Sequence, residues 1–469
     1  MEINLGEKMT EYKRKNVWEN LSSDQEKELE SLSKDYMDFL DKAKTERLAA
    51  KEIVKYAKEA GYVDLDEKIK SGKINPGDKI YAVNKNKAVV MFHIGSEDLS
   101  EGLAIVGGHI DSPRLDLKPV PLMEENGIGY LKTHYYGGVK KYNWTNMPLA
   151  LHGVVFTKNG DKVEISLGER EDEPVFYISE LLIHLSKKLM TKPAEEVVTG
   201  EQLSIIVGNR PLLDEKENPV KKNILKILNE KYGIEEEDFI TAELEVVPAG
   251  KAREVGFDRS MIASHGHDDR VCSYAALRAL LGIKETKKTL VGLFVDKEEI
   301  GSVGATGMTS QFFENTLLEI MNLKEEFNLI KFKRALRNSK VLSADVTLAE
   351  DPNFKDATES QNSAQISHGV ALTKYTGSGG KGGSNDADAE YLSEVRLAFN
   401  KDGVIFQTGE LGKVDQGGGG TIAYILAEYG MDVVDCGTPV ISMHAPIELI
   451  SKADFYSTFT AYRAFYKNI

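Results

Sequence analysis

Apolar positions fall into three textures along the chain. Over residues 24–60, Leu29, Leu32, Tyr36, Leu40 and Ala43 recur every three or four places, the spacing of one helix face, and Gly61 is a stop. The stretch 79–95 (KIYAVNKNKAVVMFHIG) reads as two strands about a Lys-Asn-Lys turn, and GLAIVG at 102–107 as a short buried strand. From about 114 to 254 the pattern turns to hairpins, such as HGVVFTKNGDKVEISLG at 152–168 around Asn-Gly. A helix-like piece, YISELLIHLSKKLM at 177–190, sits among them, and 213–222 reads as an exposed loop. After 255, strand and helix alternate: helix 273–283, strand 289–296, helix 312–327, strand 340–345, helix 421–430 and strand 438–444. That alternation predicts an α/β fold, a mixed sheet containing parallel strands and flanked by helices. Residues 1–113 and 255–469 then form one domain, interrupted by a β-rich insertion at 114–254.

Composition narrows the function classes. The chain has 469 residues, enough for two to three domains at roughly 150 residues each. The 74 acidic residues outnumber the 59 Lys and Arg, a net charge of −15, which repels phosphate backbones and argues against a nucleic-acid partner. Apolar runs stop at about ten residues, short of the roughly 18 that a membrane span needs. The N-terminus, MEINLGEKMTEYKRKNVW, has no apolar signal core, so a cytoplasmic location is expected. The two cysteines, Cys272 and Cys436, are too few for a disulfide framework and form no CxxC pair. Both read as packing residues. Any metal must therefore be held by His, Asp and Glu.

Four strands run directly into such residues. GLAIVG leads to His109 and Asp111, LVGLFV to Asp296, Glu298 and Glu299, VLSA to Asp345, and PVISM to His444. Asp268 and Asp269 lie just before the helix that starts near Ser273. One such residue alone is usually a cap or a surface group, and an Asp pair before a helix is commonly an N-cap. Together they are harder to explain without a metal, because charge at the end of a buried strand is costly unless paired or ligated. Loops at the carboxyl ends of strands in open α/β sheets converge on one crevice. Imidazole plus carboxylate suits zinc, manganese or cobalt. Five ligands exceed what one catalytic zinc uses and fit two ions sharing a bridging carboxylate. In the tandem Glu298-Glu299, one carboxylate can bind metal while its neighbour takes a proton from the attacking water. Asp111 can hold the second imidazole nitrogen of His109, or serve as a turn cap.

At these residues the sequence resembles the aminopeptidase I and aspartyl aminopeptidase family of dinuclear zinc exopeptidases. The matching stretches are GGHIDSPRLDLKP (107–119), HDDRVCSYAAL (267–277), DKEEIGS (296–302), SADVT (343–347) and SMHAPIE (442–448), in the family's order and spanning nearly the whole chain. The resemblance implies two zinc ions per subunit, with cobalt or manganese as alternatives. His109 and Asp345 would bind one ion, Glu299 and His444 the other, with Asp268 bridging and Glu298 the general base. Where the family has Leu before its Asp-Asn, this chain has His267 before Asp268-Asp269. The resemblance also implies that 114–254 is a dimerisation domain, and that dimers build a homo-oligomeric dodecamer. His184 matches a histidine that, in relatives, reaches a neighbouring subunit's site and supports the tetrahedral intermediate. The implied reaction is release of the N-terminal amino acid from peptides. Acidic-preferring relatives carry a Lys where Gly379 aligns, with Lys381 two residues later, so neutral or broad specificity is expected.

The rivals are weaker. GSGGKG at 377–382 fits GxGxxG in form only, without a clean second strand and its acidic residue. Gly417–Gly420 lacks the GK[ST] of a P-loop, and there is neither a nucleophile elbow nor HExxH. An inactivated scaffold relative would not be expected to keep Glu298 and all five ligands. Among hydrolases, the alternative is a dizinc deacylase or a carboxypeptidase-like enzyme using the same metal logic on other amides.

Overall fold

The computed structural model describes residues 11–324 and 326–469. The first ten residues of the N-terminal stretch and Glu325, within the helix expected at 312–327, lie outside it. A nine-stranded sheet forms the centre of the molecule. Its order is Val63–Asp64, Lys79–Asn84, Ala88–His93, Thr289–Val295, Leu103–His109, Lys340–Ser343, Asp432–Gly437, Val370–Thr373 and Phe406–Thr408. The four strands from Thr289–Val295 to Asp432–Gly437 are mutually parallel, and the strands flanking them on either side run antiparallel. The sheet is therefore mixed, as expected.

Its central strands are apolar throughout because both faces are covered. In Leu103–His109, Ala104 and Val106 join one core with the helices His267–Leu281 and Lys452–Asn468, through residues such as Tyr274, Leu277, Phe455 and Tyr462. Leu103 and Ile105 join the opposite core, with Phe313, Leu317, Phe332 and Leu336 from helices Phe312–Lys324 and Leu329–Arg337. Alternate side chains thus pack into different layers, as the two-residue period of a strand requires.

After His109 the chain leaves this sheet. A six-stranded antiparallel sheet follows, in the order Lys162–Leu167, Leu149–Phe156, Ala242–Pro248, Arg114–Glu125, Ile128–Tyr136 and Ile205–Gly208. All six strands come from residues 114–248, and they enclose their own core around Trp144, Leu151 and Val246. A third, five-stranded sheet joins Arg253–Val255, Met261–Ser264, Glu448–Ser451, Pro439–Ile441 and Thr347–Leu348.

Several sequence expectations need correction. The helical region 24–60 is two helices, Ser23–Lys42 and Glu46–Glu59, because the Thr45 side chain accepts the backbone N–H of Leu48 and caps a new start. The piece 177–190 is not an α-helix. It holds a bridge from Tyr177 to Ile206 and 3-10 turns at Ile183–Leu185 and Leu189–Thr191. Its apolar residues Leu181, Leu182, Ile183, Leu185 and Met190 are all exposed, so no packed face holds a helix together. The loop expected at 213–222 gives way at Pro219 to the helix Pro219–Tyr232. The 421–430 helix shortens to Ala423–Ala427, and Asp432–Gly437 takes up a strand of the main sheet. The strand before His444, Pro439–Ile441, belongs to the five-stranded sheet instead.

Candidate metal centre

Sheet register brings most of the candidates together. Thr289–Val295, Leu103–His109 and Lys340–Ser343 are adjacent and parallel, with Val295 beside His109 and Ser343 beside Gly107. Their carboxyl ends therefore present His109, the 3-10 turn Glu298–Ile300 and Asp345 side by side. The five-stranded sheet supplies the rest. Ser264 pairs with Glu448, which sets the loop carrying His444 against the start of helix His267–Leu281, where Asp268 lies.

Asp268 stands between the two histidines. Its Oδ1 is 3.2 Å from His109 Nε2 and its Oδ2 is 3.2 Å from His444 Nε2. On the His109 side, Glu298 Oε2 and Asp345 Oδ1 each lie 3.9 Å from the same Nε2. On the His444 side, Glu299 Oε2 is 3.5 Å from Nε2. His109, Glu298 and Asp345 offer donor atoms within 4.8 Å of one another, as do His109, Asp268 and Glu299.

A ring of hydrogen bonds orients these groups. Asp111 is fully buried; its Oδ1 lies 3.2 Å from His109 Nδ1 and accepts the backbone N–H of Glu298 at 3.2 Å. Its Oδ2 accepts the Glu299 N–H at 3.3 Å and the Tyr136 hydroxyl at 2.8 Å. Glu448 accepts the backbone N–H groups of His444 and Asp268, at 2.7 and 3.0 Å. Asp269 points away from this centre, its Oδ2 accepting the His109 backbone N–H at 3.3 Å.

The electrostatics are those of a carboxylate cluster short of positive charge. Burial opposes a cation at His109, but Asp111, Asp268 and Asp345 outweigh it and raise its pKa well above 6.5. Burial likewise opposes the charged form of His444, yet Asp268 and Glu299 carry its pKa up to about 10. Burial and the charges of Asp268 and Asp111 lift Glu298 to about 7. Burial, and then Asp268, raise Glu299 well above the ordinary carboxylate range. Burial, with Asp269 and Glu298 adding to it, does the same for Asp345. Asp268 is lowered: burial pushes it up, but the two histidines more than reverse that. Glu299 Oε1 is buried with no hydrogen-bond partner. Imidazoles and carboxylates converging around an unpaired carboxylate oxygen fit a divalent cation such as zinc.

Of the sequence candidates, His109, Asp111, Asp268, Glu298, Glu299, Asp345 and His444 come together here. His184 does not join them within the chain. It is exposed on the turn Ile183–Leu185 and makes no hydrogen bond or ion pair with the cluster. Sequence reasoning missed Tyr136, Gly137 and Gly138, which end a strand of the six-stranded sheet and touch the site. Gly138 carbonyl lies 3.0 Å from His444 Nδ1, and a Cβ at Gly138 would meet that nitrogen at 3.1 Å. The adjacent Gly-Gly pair was the available signal.

Comparison with known proteins agrees with this geometry. The family described as aminopeptidase I zinc metalloprotease (M18) matches residues 39–466. A probable M18 family aminopeptidase 1 of Clostridium acetobutylicum is 51% identical over 97% of this chain and 98% of its own. The crystal structure of an M18 family aminopeptidase from Thermotoga maritima superposes with a TM-score of 0.93 at 46% identity, covering 98% of this chain and all of that one. A yeast structure, described as an mApe1 dodecamer, is 21% identical and covers 92% of this chain and 96% of its own. It shares the fold with a TM-score of 0.75. Fold and family match define a metallopeptidase, a hydrolase. More narrowly, the chain belongs to the aminopeptidase I zinc metalloprotease (M18) family and is a zinc-dependent aminopeptidase.

Proposed function

We propose that the enzyme releases N-terminal residues of neutral or broad character from peptides at a centre for two zinc ions. The observation that carries this reading is Asp268, with one oxygen 3.2 Å from each histidine. His109 and Asp345 would hold one ion and Glu299 and His444 the other, with Asp268 available to both. When bound, zinc activates water and polarises the scissile carbonyl. Glu298, with Oε2 3.9 Å from His109 Nε2, takes the proton of the attacking water and returns it to the leaving amine. Asp111 holds the His109 ring so that Nε2 faces the centre. The free α-amine of the substrate binds among the remaining carboxylates, which confines cleavage to the first residue. A dizinc deacylase remains the alternative, since the donor set alone does not choose the amide.

Specificity is supported by the loop at 374–386. Lys381 pairs with Asp386 at 3.0 Å and lies 3.9 Å from the centre of the Tyr375 ring, so its charge is already matched by a carboxylate of its own loop. Gly379 offers no side chain at all. Residues 114–254 form the dimerisation domain, inserted in a catalytic domain of 1–113 and 255–469. The exposed apolar run Leu181–Met190 supports docking on a second copy, from which His184 would reach the neighbouring site and stabilise the oxyanion. Dimers then build a dodecamer, the assembly described for the yeast relative. No described helix is long and apolar enough to cross a membrane, in keeping with a cytoplasmic enzyme acting on peptides.

The test is Glu298→Gln, with zinc content and turnover measured on N-terminal aminoacyl amides. Zinc should be retained while kcat falls about 10²- to 10⁴-fold. Near-normal turnover would refute the base assignment, and loss of both zinc and activity would make Glu298 a ligand.

A further inference from the structure

One short segment of the six-stranded sheet touches both halves of the centre. Strand Ile128–Tyr136 ends at the site, and the next residues are Gly137 and Gly138. The Tyr136 hydroxyl donates to Asp111 Oδ2 at 2.8 Å, and Asp111 in turn contacts His109 Nδ1. Two residues later, the Gly138 carbonyl lies 3.0 Å from His444 Nδ1. Between them, Gly137 passes so close to Glu299 that a Cβ there would sit 3.2 Å from the Glu299 Cβ. His109 Nδ1 meets the Asp111 carbonyl at 3.0 Å and its carboxylate at 3.2 Å, so residues 136–138 reach His444 directly and His109 through the Asp111 carboxylate that Tyr136 holds.

The ring of Tyr136 is itself fixed. Arg114 is its direct cross-strand partner, and the guanidinium carbon lies 3.9 Å from the ring centroid. Arg114 is buried and held by Asp116 at 2.8 Å, Glu245 at 3.2 Å and Glu46 at 3.4 Å. Asp116 and Glu245 belong to the six-stranded sheet, whereas Glu46 opens the helix Glu46–Glu59, which packs against the nine-stranded one. A buried guanidinium hydrogen-bonded to Asp116 and within ion-pair distance of Glu245 and Glu46 packs on the ring and helps set the position of the tyrosine hydroxyl relative to Asp111.

From this geometry we propose that Tyr136 is a positioning residue of the reaction, and that Tyr136–Gly138 couples the six-stranded sheet to both histidines of the centre. The proposal rests on the metal-centre reading given above. Tyr136 is buried and its hydroxyl donates to Asp111, so it acts through Asp111. Outer partners of this kind fix the orientation of a ligating imidazole, and their loss weakens metal binding or catalysis.

Tyr136→Phe removes the hydroxyl and keeps the ring over Arg114. Tyr130→Phe, on the same strand, is the control. Zinc affinity is measured by chelator competition, turnover on an N-terminal aminoacyl amide, and unfolding of the metal-stripped protein by heat. We expect zinc affinity and kcat each to fall roughly tenfold in Tyr136→Phe. KM should match the parent, the melting temperature of the metal-free protein should fall only slightly for the lost buried hydrogen bond, and the control should match the parent throughout. Gly138→Ala, which presses a methyl group on the other histidine, should also weaken zinc binding. Unchanged zinc affinity and kcat in Tyr136→Phe would overturn the proposal. So would a drop in the metal-free melting temperature with normal turnover per bound zinc, which marks a merely structural role. A parent protein that takes up no zinc would refute the metal centre itself, a separate failure visible before any variant is made.

Discussion

The two histidines of the centre are built differently. His109 closes a central strand of the main sheet and its side chain is 2% exposed. Its Nδ1 lies 3.0 Å from the Asp111 backbone carbonyl and 3.2 Å from the buried Asp111 carboxylate, and its backbone is held by Asp269 and by Ser273, whose hydroxyl donates to the His109 carbonyl at 2.7 Å. His444 sits on a loop in left-handed backbone, φ 63°, with its side chain 39% exposed, and its Nδ1 meets only a carbonyl of the neighbouring sheet. The contrast teaches that half of the centre is part of the protein's core. The other half is assembled where three sheets meet, and it depends on their relative placement.

Replacing each histidine should expose that asymmetry most strongly. His109→Ala removes the buried imidazole that faces both Asp111 and Asp268, leaving Asp111 only neutral donors and Asp268 only His444 as a cationic partner. It should destabilise the metal-free protein by about 3–5 kcal/mol, the cost of breaking a buried pair. His444→Ala, at the open rim, should cost less than His109→Ala in the same urea titration while still abolishing full zinc loading. Equal stability losses would mean that the two halves are equally embedded.

A smaller effect is expected from pH. The pKa of His444 rises from 6.5 to about 10 on folding of the metal-free chain, and Glu448, buried and beside Asp268, rises from 4.5 to about 8. Both groups bind more protons folded than unfolded, so each contribution is present at low pH and lost as pH rises. For His444 the loss falls between about 6.5 and 10, and for Glu448 between about 4.5 and 8. The melting temperature of metal-free protein should therefore decline from pH 6 to pH 10. Zinc, which displaces those protons, should oppose the decline and widen the gap between loaded and stripped protein. A stripped protein that gains stability over this range would contradict the charge pattern described.

The His109 half was the more legible in sequence. A strand apolar on both sides can only end in His because something compensates the polar group, and His109, Glu299 and Asp345 all follow such strands. His444 after PVISM and the Asp268-Asp269 pair before a helix were candidates too, and the ordered motifs then implied their roles. What escaped was whatever depends on packing between distant segments. Pro439–Ile441 looks like any short apolar strand, and nothing local places it in a separate sheet. The exposed apolar residues at 181–190 have helical spacing, but the chain offers them no face to pack on. Tyr136 and Arg114 are adjacent only through cross-strand register, which the sequence does not display.

The central claim is that Asp268 serves two ions at once, and the most direct measurement is the number of zinc ions bound per chain at saturation, by elemental analysis after equilibrium dialysis. Two are expected for the parent protein and no more than one for His444→Ala. One zinc per chain in the parent, unchanged by loss of His444, would contradict it.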